Sequence, residues 1–316
     1  FDGEVSPSLY DKAINVQTLS NDGGAAFNFS SRKNILYKGR ATVTDGLFEY
    51  EFIVPKDISY QEGNGKVFYY GLSDDTDAQG SYDDFLIGGT DSTAAVDEIG
   101  PTIELFLDSE GFVSGGLTNE SPLLIVKLFD ENGINTAGNG IGHDITAVLD
   151  DNTASPIILN DYFSLDLDSY QRGELRYQLN DISEGDHTLK FKVWDIYNNS
   201  SLVEVAFKVK LEADLSLDNV LNYPNPFTTH TEFLFEHNQQ ACDAMEVSVQ
   251  VFTVSGKLVK SIHRTVDAHK TMRDQVTWDG RDDYGERLGR GVYIYKLKVT
   301  TPEGAKKEVF EKLVLL

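Results

Sequence analysis

Cysteine is all but missing: Cys242 stands alone in 316 residues, which excludes an internal disulfide framework and a cysteine-rich metal cluster. Stability must therefore come from hydrophobic cores. Long apolar runs are missing as well. No stretch approaches the roughly 18 apolar residues that a membrane helix needs, so membrane association would have to come through a partner or a covalent anchor. Helical periodicity is sustained nowhere over about eleven residues, and only short helical turns are expected around residues 157–162. Basic residues are scarce in the front two-thirds. Residues 1–214 carry 14 Lys+Arg against 37 Asp+Glu, a balance of −23, while residues 215–316 carry 13 against 14, a balance of −1. Such an acidic front repels phosphate backbones and anionic lipid, so nucleic acid is not expected as a partner.

What the chain does have is β character. It holds 15 Tyr and 18 Phe, with short apolar runs set between Gly, Asn and Asp. Phe48, Tyr50 and Phe52 alternate with Glu49 and Glu51. Leu189, Phe191 and Val193 alternate with Lys190 and Lys192, and Val203, Val205, Phe207 and Val209 repeat the pattern. Val247, Val249 and Val251 alternate with Ser248 and Gln250. Successive strand side chains point to opposite faces, so each run predicts one core face and one wet face. Turn chemistry separates the runs: Asp45-Gly46, Gly63-Asn64-Gly65, Ser255-Gly256 as a hairpin, and Pro302-Glu303-Gly304 before the last strand.

Turn signals every 8–12 residues favour an all-β fold of about three immunoglobulin-like β-sandwich modules in tandem. One boundary is expected in the polar stretch ending at Gly100-Pro101, before Ile103, Leu105 and Leu107 begin a new alternation. A second is expected near residues 211–216, where the charge balance also changes. The resulting modules are a β-sandwich over residues 1–96, an immunoglobulin-like sandwich over 97–213 and a final sandwich over 214–316. The sequence starts at Phe1 with no leader ahead of it, so a piece of a longer polypeptide is expected.

The final hundred residues carry an ordered series of motifs. Asn222-Tyr223-Pro224-Asn225-Pro226-Phe227 is followed by Val251-Phe252-Thr253-Val254-Ser255-Gly256-Lys257-Leu258-Val259. Next come Trp278-Asp279-Gly280-Arg281-Asp282, then Gly289-Arg290-Gly291-Val292-Tyr293-Ile294-Tyr295, and finally Lys312-Leu313-Val314. This series resembles the C-terminal sorting domain of type IX secretion substrates. In the front, Tyr37-Lys38-Gly39-Arg40-Ala41, Asp130-Glu131-Asn132-Gly133-Ile134-Asn135-Thr136, Gly138-Asn139-Gly140-Ile141-Gly142-His143-Asp144-Ile145, Lys192-Val193-Trp194-Asp195 and Asn198-Asn199 extend the resemblance. Together they look like the C-terminal region of the gingipain-like sortases of type IX secretion.

That resemblance implies a caspase-like Cys/His peptidase domain upstream in the same chain, with cargo sorting domains as its targets. It also implies an outer-membrane β-barrel shuttle protein as docking partner, a cell-surface location at the outer membrane, and no catalysis by these residues themselves. The sorting and docking residues it implies are Pro224, Asn225, Pro226, Phe227, Gly256, Gly291, Tyr293 and Lys312. Physically, Pro224 and Pro226 fix φ and remove amide donors, which suits an extended edge or lead-in segment. Trp278 fills a core, and Gly291 allows close backbone approach. The competing reading is a secreted adhesin or carbohydrate-binding surface protein that carries a type IX export domain.

Reactive chemistry is sparse. Cys242 sits in a polar run beside Asp243, which disfavours a thiolate, so no catalytic residue is assigned. His143, His187, His230, His237, His263 and His269 form no compact metal spacing. The glycines around His143 follow no βαβ unit and make no dinucleotide site. No cofactor is assigned. Calcium is the one ion the acidic front could hold, since it takes six to eight oxygen ligands from Asp-rich loops. Asp74, Asp75 and Asp77, Asp83 and Asp84, and Asp279, Asp282 and Asp283 are the carboxylate clusters visible in sequence. In the last of these, Arg281 opposes a cation.

Overall fold

The computed structural model describes all residues except 22, 57, 92, 94–95, 137–141, 212–214, 240–243, 268–275 and 303. Among the described residues the chain is all-β, with a single 3-10 turn at Asn160–Tyr162, inside the segment where a short helical turn is expected. No helix among them is long and apolar enough to cross a membrane.

The first strands are β1 (Gly3–Tyr10), β2 (Ile14–Gln17), β3 (Asn28–Ser31), β4 (Ile35–Lys38) and β5 (Ala41–Val43). They are followed by β6 (Gly63–Asn64), β7 (Lys66–Leu72), β8 (Asp77–Tyr82) and β9 (Leu86–Ile87). One sheet runs β4-β1-β7-β8, with β5 also paired to β1, and the two-stranded pairs β2-β3 and β6-β9 stand apart. Period-two alternation places Val5, Val67, Ala41 and Val43 in the core.

The middle strands are β10 (Thr102–Leu107), β11 (Leu117–Thr118), β12 (Leu123–Phe129), β13 (Thr146–Leu149) and β14 (Ile157–Ile158). Then come β15 (Phe163–Leu165), β16 (Arg172–Gln178), β17 (Gly185–Trp194) and β18 (Ser200–Val209). Their two sheets run β10-β12-β16-β15 and β11-β18-β17-β13-β14. The predicted alternations hold: Leu189, Phe191 and Val193 are buried between outward Lys190 and Lys192, and Val205, Phe207 and Val209 are buried along β18.

The last strands are β19 (Leu217–Tyr223), β20 (Thr231–His237), β21 (Ala244–Thr253), β22 (Leu258–Asp267), β23 (Thr277–Trp278), β24 (Gly291–Thr300) and β25 (Lys306–Leu315). A three-stranded sheet β19-β20-β23 faces a four-stranded sheet β22-β21-β24-β25. Phe233, Phe235 and Trp278 from the first pack with Val247, Val249, Val251, Tyr295, Leu297 and Leu313 from the second. This is an immunoglobulin-like sandwich in which each strand contributes alternate side chains to one core. The Ser255-Gly256 hairpin forms as expected: Thr253 N–H donates to the Lys257 carbonyl at 2.9 Å, with Gly256 at φ +86°. Glu303 of the Pro302-Glu303-Gly304 turn lies outside the described residues, and β24 and β25 pair directly on either side of it.

One expected strand is not built. Phe48, Tyr50 and Phe52 lie outside every named strand. The Thr44–Leu47 turn, with Asp45 and Gly46 at positive φ, leads into them as expected. Their rings instead stack near-parallel, Tyr50 on Phe52 at 6.4 Å and Tyr37 on Phe52 at 4.6 Å. Alternation correctly marks the common face, but aromatic stacking holds it there without a hydrogen-bonded ladder. Likewise Gly63-Asn64 is not only a turn, because it pairs with Leu86–Ile87.

The chain divides into two compact units: residues Phe1–Leu105, Val126–Tyr177 and Leu189–Glu204 make the first, and Phe106–Ile125, Gln178–Thr188 and Val205–Leu316 the second. This division cuts through β10, β12, β16, β17 and β18. Sheet membership follows another pattern, since no sheet draws strands from more than one of residues 1–96, 97–213 and 214–316.

Candidate functional site

The eight motif residues expected to matter gather at one end of the last sandwich. β19 delivers Tyr223 to the Pro224-Asn225-Pro226 bend, where both X-Pro bonds are cis. Beyond it Phe227 forms a parallel bridge to Leu315 of β25. Phe227 N–H donates to the Val314 carbonyl at 3.0 Å, and Leu316 N–H donates to the Phe227 carbonyl at 2.9 Å. The prolines have no N–H to offer, so this pairing begins at the first residue after them.

Asn225 ties the bend to the same strand. Its Nδ2 donates to the Lys312 carbonyl at 3.0 Å, and its Oδ1 accepts from Val314 N–H at 2.9 Å. Nδ2 also reaches Asn222 Oδ1 at 3.1 Å. Buried Asn222 donates to Thr231 Oγ1 at 3.0 Å, and that hydroxyl donates to the Pro224 carbonyl at 2.8 Å. Below the bend, the buried Phe227 ring lies 5.6 Å from the Trp278 ring. Trp278 Nε1–H donates to the Arg281 carbonyl at 2.8 Å, which closes the Trp-Asp-Gly turn beneath it.

The remaining motif residues complete this end of the sheet. Tyr293 pairs with Leu313 on one side and Thr253 on the other, and Thr253 opens the Gly256 hairpin. The Tyr293 hydroxyl donates to the Gly289 carbonyl at 2.7 Å. Lys312 pairs with Ile294 through its backbone and leaves its ammonium exposed. Gly291 corrects an expectation: a Cβ there would meet no atom within 4 Å, so no close backbone approach requires glycine. The glycine that does face close packing is Gly280, at φ +77°, where a Cβ would come within 3.2 Å of Leu315 Cδ1 and 3.5 Å of Phe227 Cε2. Asn222 opens the recognised motif, but its role and that of Thr231 were not legible in sequence, because nothing in their spacing reports a buried hydrogen-bond relay.

A second cluster lies in the first unit. Asp97, Asp130 and Asp195 bring carboxylate oxygens within 4.8 Å of one another. Asp130 and Asp195 are buried. Asp130 Oδ1 accepts from Asn132 N–H at 2.9 Å and Gly133 N–H at 3.0 Å. Asp195 accepts from Asn199 N–H at 2.7 Å and Nδ2 at 2.8 Å, and Asp97 accepts from Ile99 N–H and Asn132 Nδ2. Burial pushes the Asp130 carboxyl up to about 6, against its two backbone donors, and the neighbouring charges of Asp195 and Asp97 push the same way. Burial also raises Asp195, while the backbone N–H of Ile99 leads in holding Asp97 below the usual carboxylate range. Among the described residues no Lys or Arg ion pair neutralises the three. They are the carboxylates here that could hold a hard divalent cation, and they come from loops after β12 and β17 plus the segment before β10, too far apart in sequence for spacing to reveal.

The clusters that sequence did reveal serve turns and surfaces. Asp279 caps Arg281 N–H, Asp282 accepts from Tyr284 and Glu286 N–H, and Asp283 lies 3.4 Å from Lys260. Asp74, Asp75, Asp77, Asp83 and Asp84 surround exposed β8. Cys242, His269 and residues 138–141 lie outside the described residues. The His143 ring lies tilted 4.4 Å from Trp194, His187 stacks at 5.6 Å on Phe207, and His263 contacts Ser248. The described histidines do not converge.

No protein-family model matches the chain, and no curated protein does either. Among solved structures, domains from titin align at 10% identity over 99% of this chain and 100% of theirs, with a TM-score of 0.23. A tetra-tandem repeat from the extending region of a large adhesion protein aligns at 15% identity over 99% of this chain and 67% of its own, with a TM-score of 0.22. Dimeric latent PorU from Porphyromonas gingivalis aligns at 31% identity over 100% of this chain and 30% of its own, with a TM-score of 0.38. The chain is thus similar in sequence, from its first residue to its last, to a portion of PorU that makes up 30% of that protein's solved chain.

Proposed function

We propose that these residues are the non-catalytic C-terminal part of a PorU-like type IX secretion sortase at the cell surface. In this reading the stretches 1–96, 97–213 and 214–316 are three β-sandwich modules. They support a peptidase domain upstream in the same polypeptide, which acts on cargo sorting domains, and the last module docks to an outer-membrane β-barrel shuttle. The observation that carries the reading is the 31% sequence identity with PorU over the whole chain.

Charge supports the choice of docking module. Burying unpaired carboxylates is costly, and an interface of this kind buries roughly 1,200–2,000 Å². The last module, near neutral, carries that burial more cheaply than a front of net charge −23. The bend at Pro224–Pro226 anchored to β25 gives a fixed surface around exposed Lys312, Tyr223 and Phe310. Recognition there needs shape and hydrogen bonding and no reactive group.

The test is surface labelling of cells that export the chain through an intact type IX system. Retention at the outer surface is expected for the wild type, with release into the medium for Lys312→Glu combined with Tyr223→Ala. Equal retention of that variant, or cleavage of a sorting-domain substrate by the purified chain, contradicts the reading.

A further inference from the structure

β8 closes the sheet β4-β1-β7-β8 as an edge strand, and all six of its residues are exposed. Its sequence, Asp77-Ala78-Gln79-Gly80-Ser81-Tyr82, contains no Lys, Pro or bulge of the kind that usually blunts an open edge. Which backbone groups face outward follows from the hairpin. Ser73 N–H donates to the Thr76 carbonyl at 2.9 Å, so 73 and 76 form a hydrogen-bonded pair. Such pairs alternate along an antiparallel ladder. With Leu72 opposite Asp77, Tyr70 opposite Gln79 and Phe68 opposite Ser81, the N–H and C=O of Asp77, Gln79 and Ser81 point away from β7. Among the described residues no strand lies beyond them.

The same register puts an apolar row beside this edge. Phe68, Tyr70 and Leu72 share one face of β7 and are 46%, 48% and 54% exposed. Around the strand stand five carboxylates, Asp74, Asp75, Asp77, Asp83 and Asp84, with no Lys or Arg between residues 74 and 84. Lys66 approaches one of them, Asp83, at 3.6 Å. Two β8 edges brought together would set these carboxylates against one another, which opposes self-pairing. A cationic strand would meet complementary charge at both ends of β8.

We propose that β8 is a strand-addition site for an extended, lysine- or arginine-flanked segment of a partner polypeptide, whose alternate side chains would lie beside Asp77, Gln79 and Ser81 on the face that carries Phe68, Tyr70 and Leu72 one strand further in. Main-chain pairing to Asp77, Gln79 and Ser81 gives the geometry, and the flanking aspartates select the charge. This surface lies in the front stretch and is independent of the docking assigned to the last module.

The experiment uses the full 316-residue chain and a fluorescent synthetic peptide with two lysines at each end and an alternating threonine–isoleucine centre. Fluorescence anisotropy at physiological salt is expected to show saturable one-to-one binding. Gln79→Pro removes an outward N–H without breaking the β7 ladder and is expected to weaken binding at least tenfold. The same peptide N-methylated on alternate central amides is expected to lose at least tenfold against the unaltered chain, which keeps the test valid if the proline variant fails to fold. A peptide ending in glutamates is expected not to bind. Equal binding of the methylated peptide, or no binding of the lysine peptide, overturns the proposal. So does a concentration-dependent dimer that Gln79→Pro abolishes, since that gives the edge to a second copy.

Discussion

Asn225 and Val314 are 89 residues apart in sequence, yet the Asn225 side-chain oxygen accepts the Val314 backbone N–H at 2.9 Å. This bond and the Asn225 donation to the Lys312 carbonyl fasten the proline bend to the last strand.

Asn225→Ala removes three hydrogen bonds at once. With a net value of about 1 kcal/mol for each, less for partly hydrated ones, the expected loss is about 1–2 kcal/mol. Urea unfolding followed by tryptophan fluorescence measures it, since Trp278 packs on Phe227 next to the bend. An unchanged midpoint would show that the bend is held by its apolar contacts.

Two glycines in neighbouring motifs should behave oppositely. Gly280→Ala forces a side chain into φ +77° and to within 3.2 Å of Leu315, for a cost of about 1–2 kcal/mol. Gly291→Ala meets nothing within 4 Å and should leave thermal unfolding unchanged.

Tyr295 lies fully buried, with its hydroxyl unpartnered among the described residues. Burial leads in raising its phenol well above the usual range. Removing an unsatisfied buried hydroxyl while keeping the ring edge-to-face with Phe233 at 4.8 Å should stabilise the fold by about 1 kcal/mol. Tyr295→Phe is therefore expected to raise the urea midpoint, and a lowered midpoint would reveal a partner for that oxygen.

Asp130 sets a pH dependence of the opposite sign to most carboxylates. Its carboxyl is pushed up to about 6 in the folded chain, against about 3.9 when unfolded. Between those values the folded state holds more protons, so this group's contribution favours folding as pH falls from about 7 towards 4. Its charged form costs stability above about 6. Asp130→Asn keeps an oxygen to accept from Asn132 and Gly133 N–H and should flatten this part of the pH profile. Stability measured in EDTA from pH 4 to 7.5 tests it, and identical slopes for the two proteins would contradict the assignment.

Much of this architecture was legible in the sequence because strand burial repeats every two residues. Leu189-Phe191-Val193 and Val247-Val249-Val251 declared their faces directly, and Ser255-Gly256 declared its turn. Phe48-Tyr50-Phe52 shows the limit: alternation reports a shared face and does not report whether a neighbouring strand is there to pair. The cluster of Asp97, Asp130 and Asp195 stayed hidden for another reason. Its members come from three separate loops, whereas spacing can detect only ligands that are close along the chain. The Asn225 bridge to β25 was hidden in the same way, although the motif containing it was recognised. Gly291 shows the converse, a glycine in a conspicuous motif that no steric contact demands.

The central claim is that the last module docks a non-catalytic surface fragment onto an outer-membrane β-barrel shuttle. Co-purification of the 316-residue chain with the detergent-solubilised shuttle tests it most directly. The account predicts one-to-one recovery of the unaltered chain, and of a Gln79→Pro control in the front, with recovery lost for Lys312→Glu combined with Tyr223→Ala. Undiminished recovery of that double variant would contradict it.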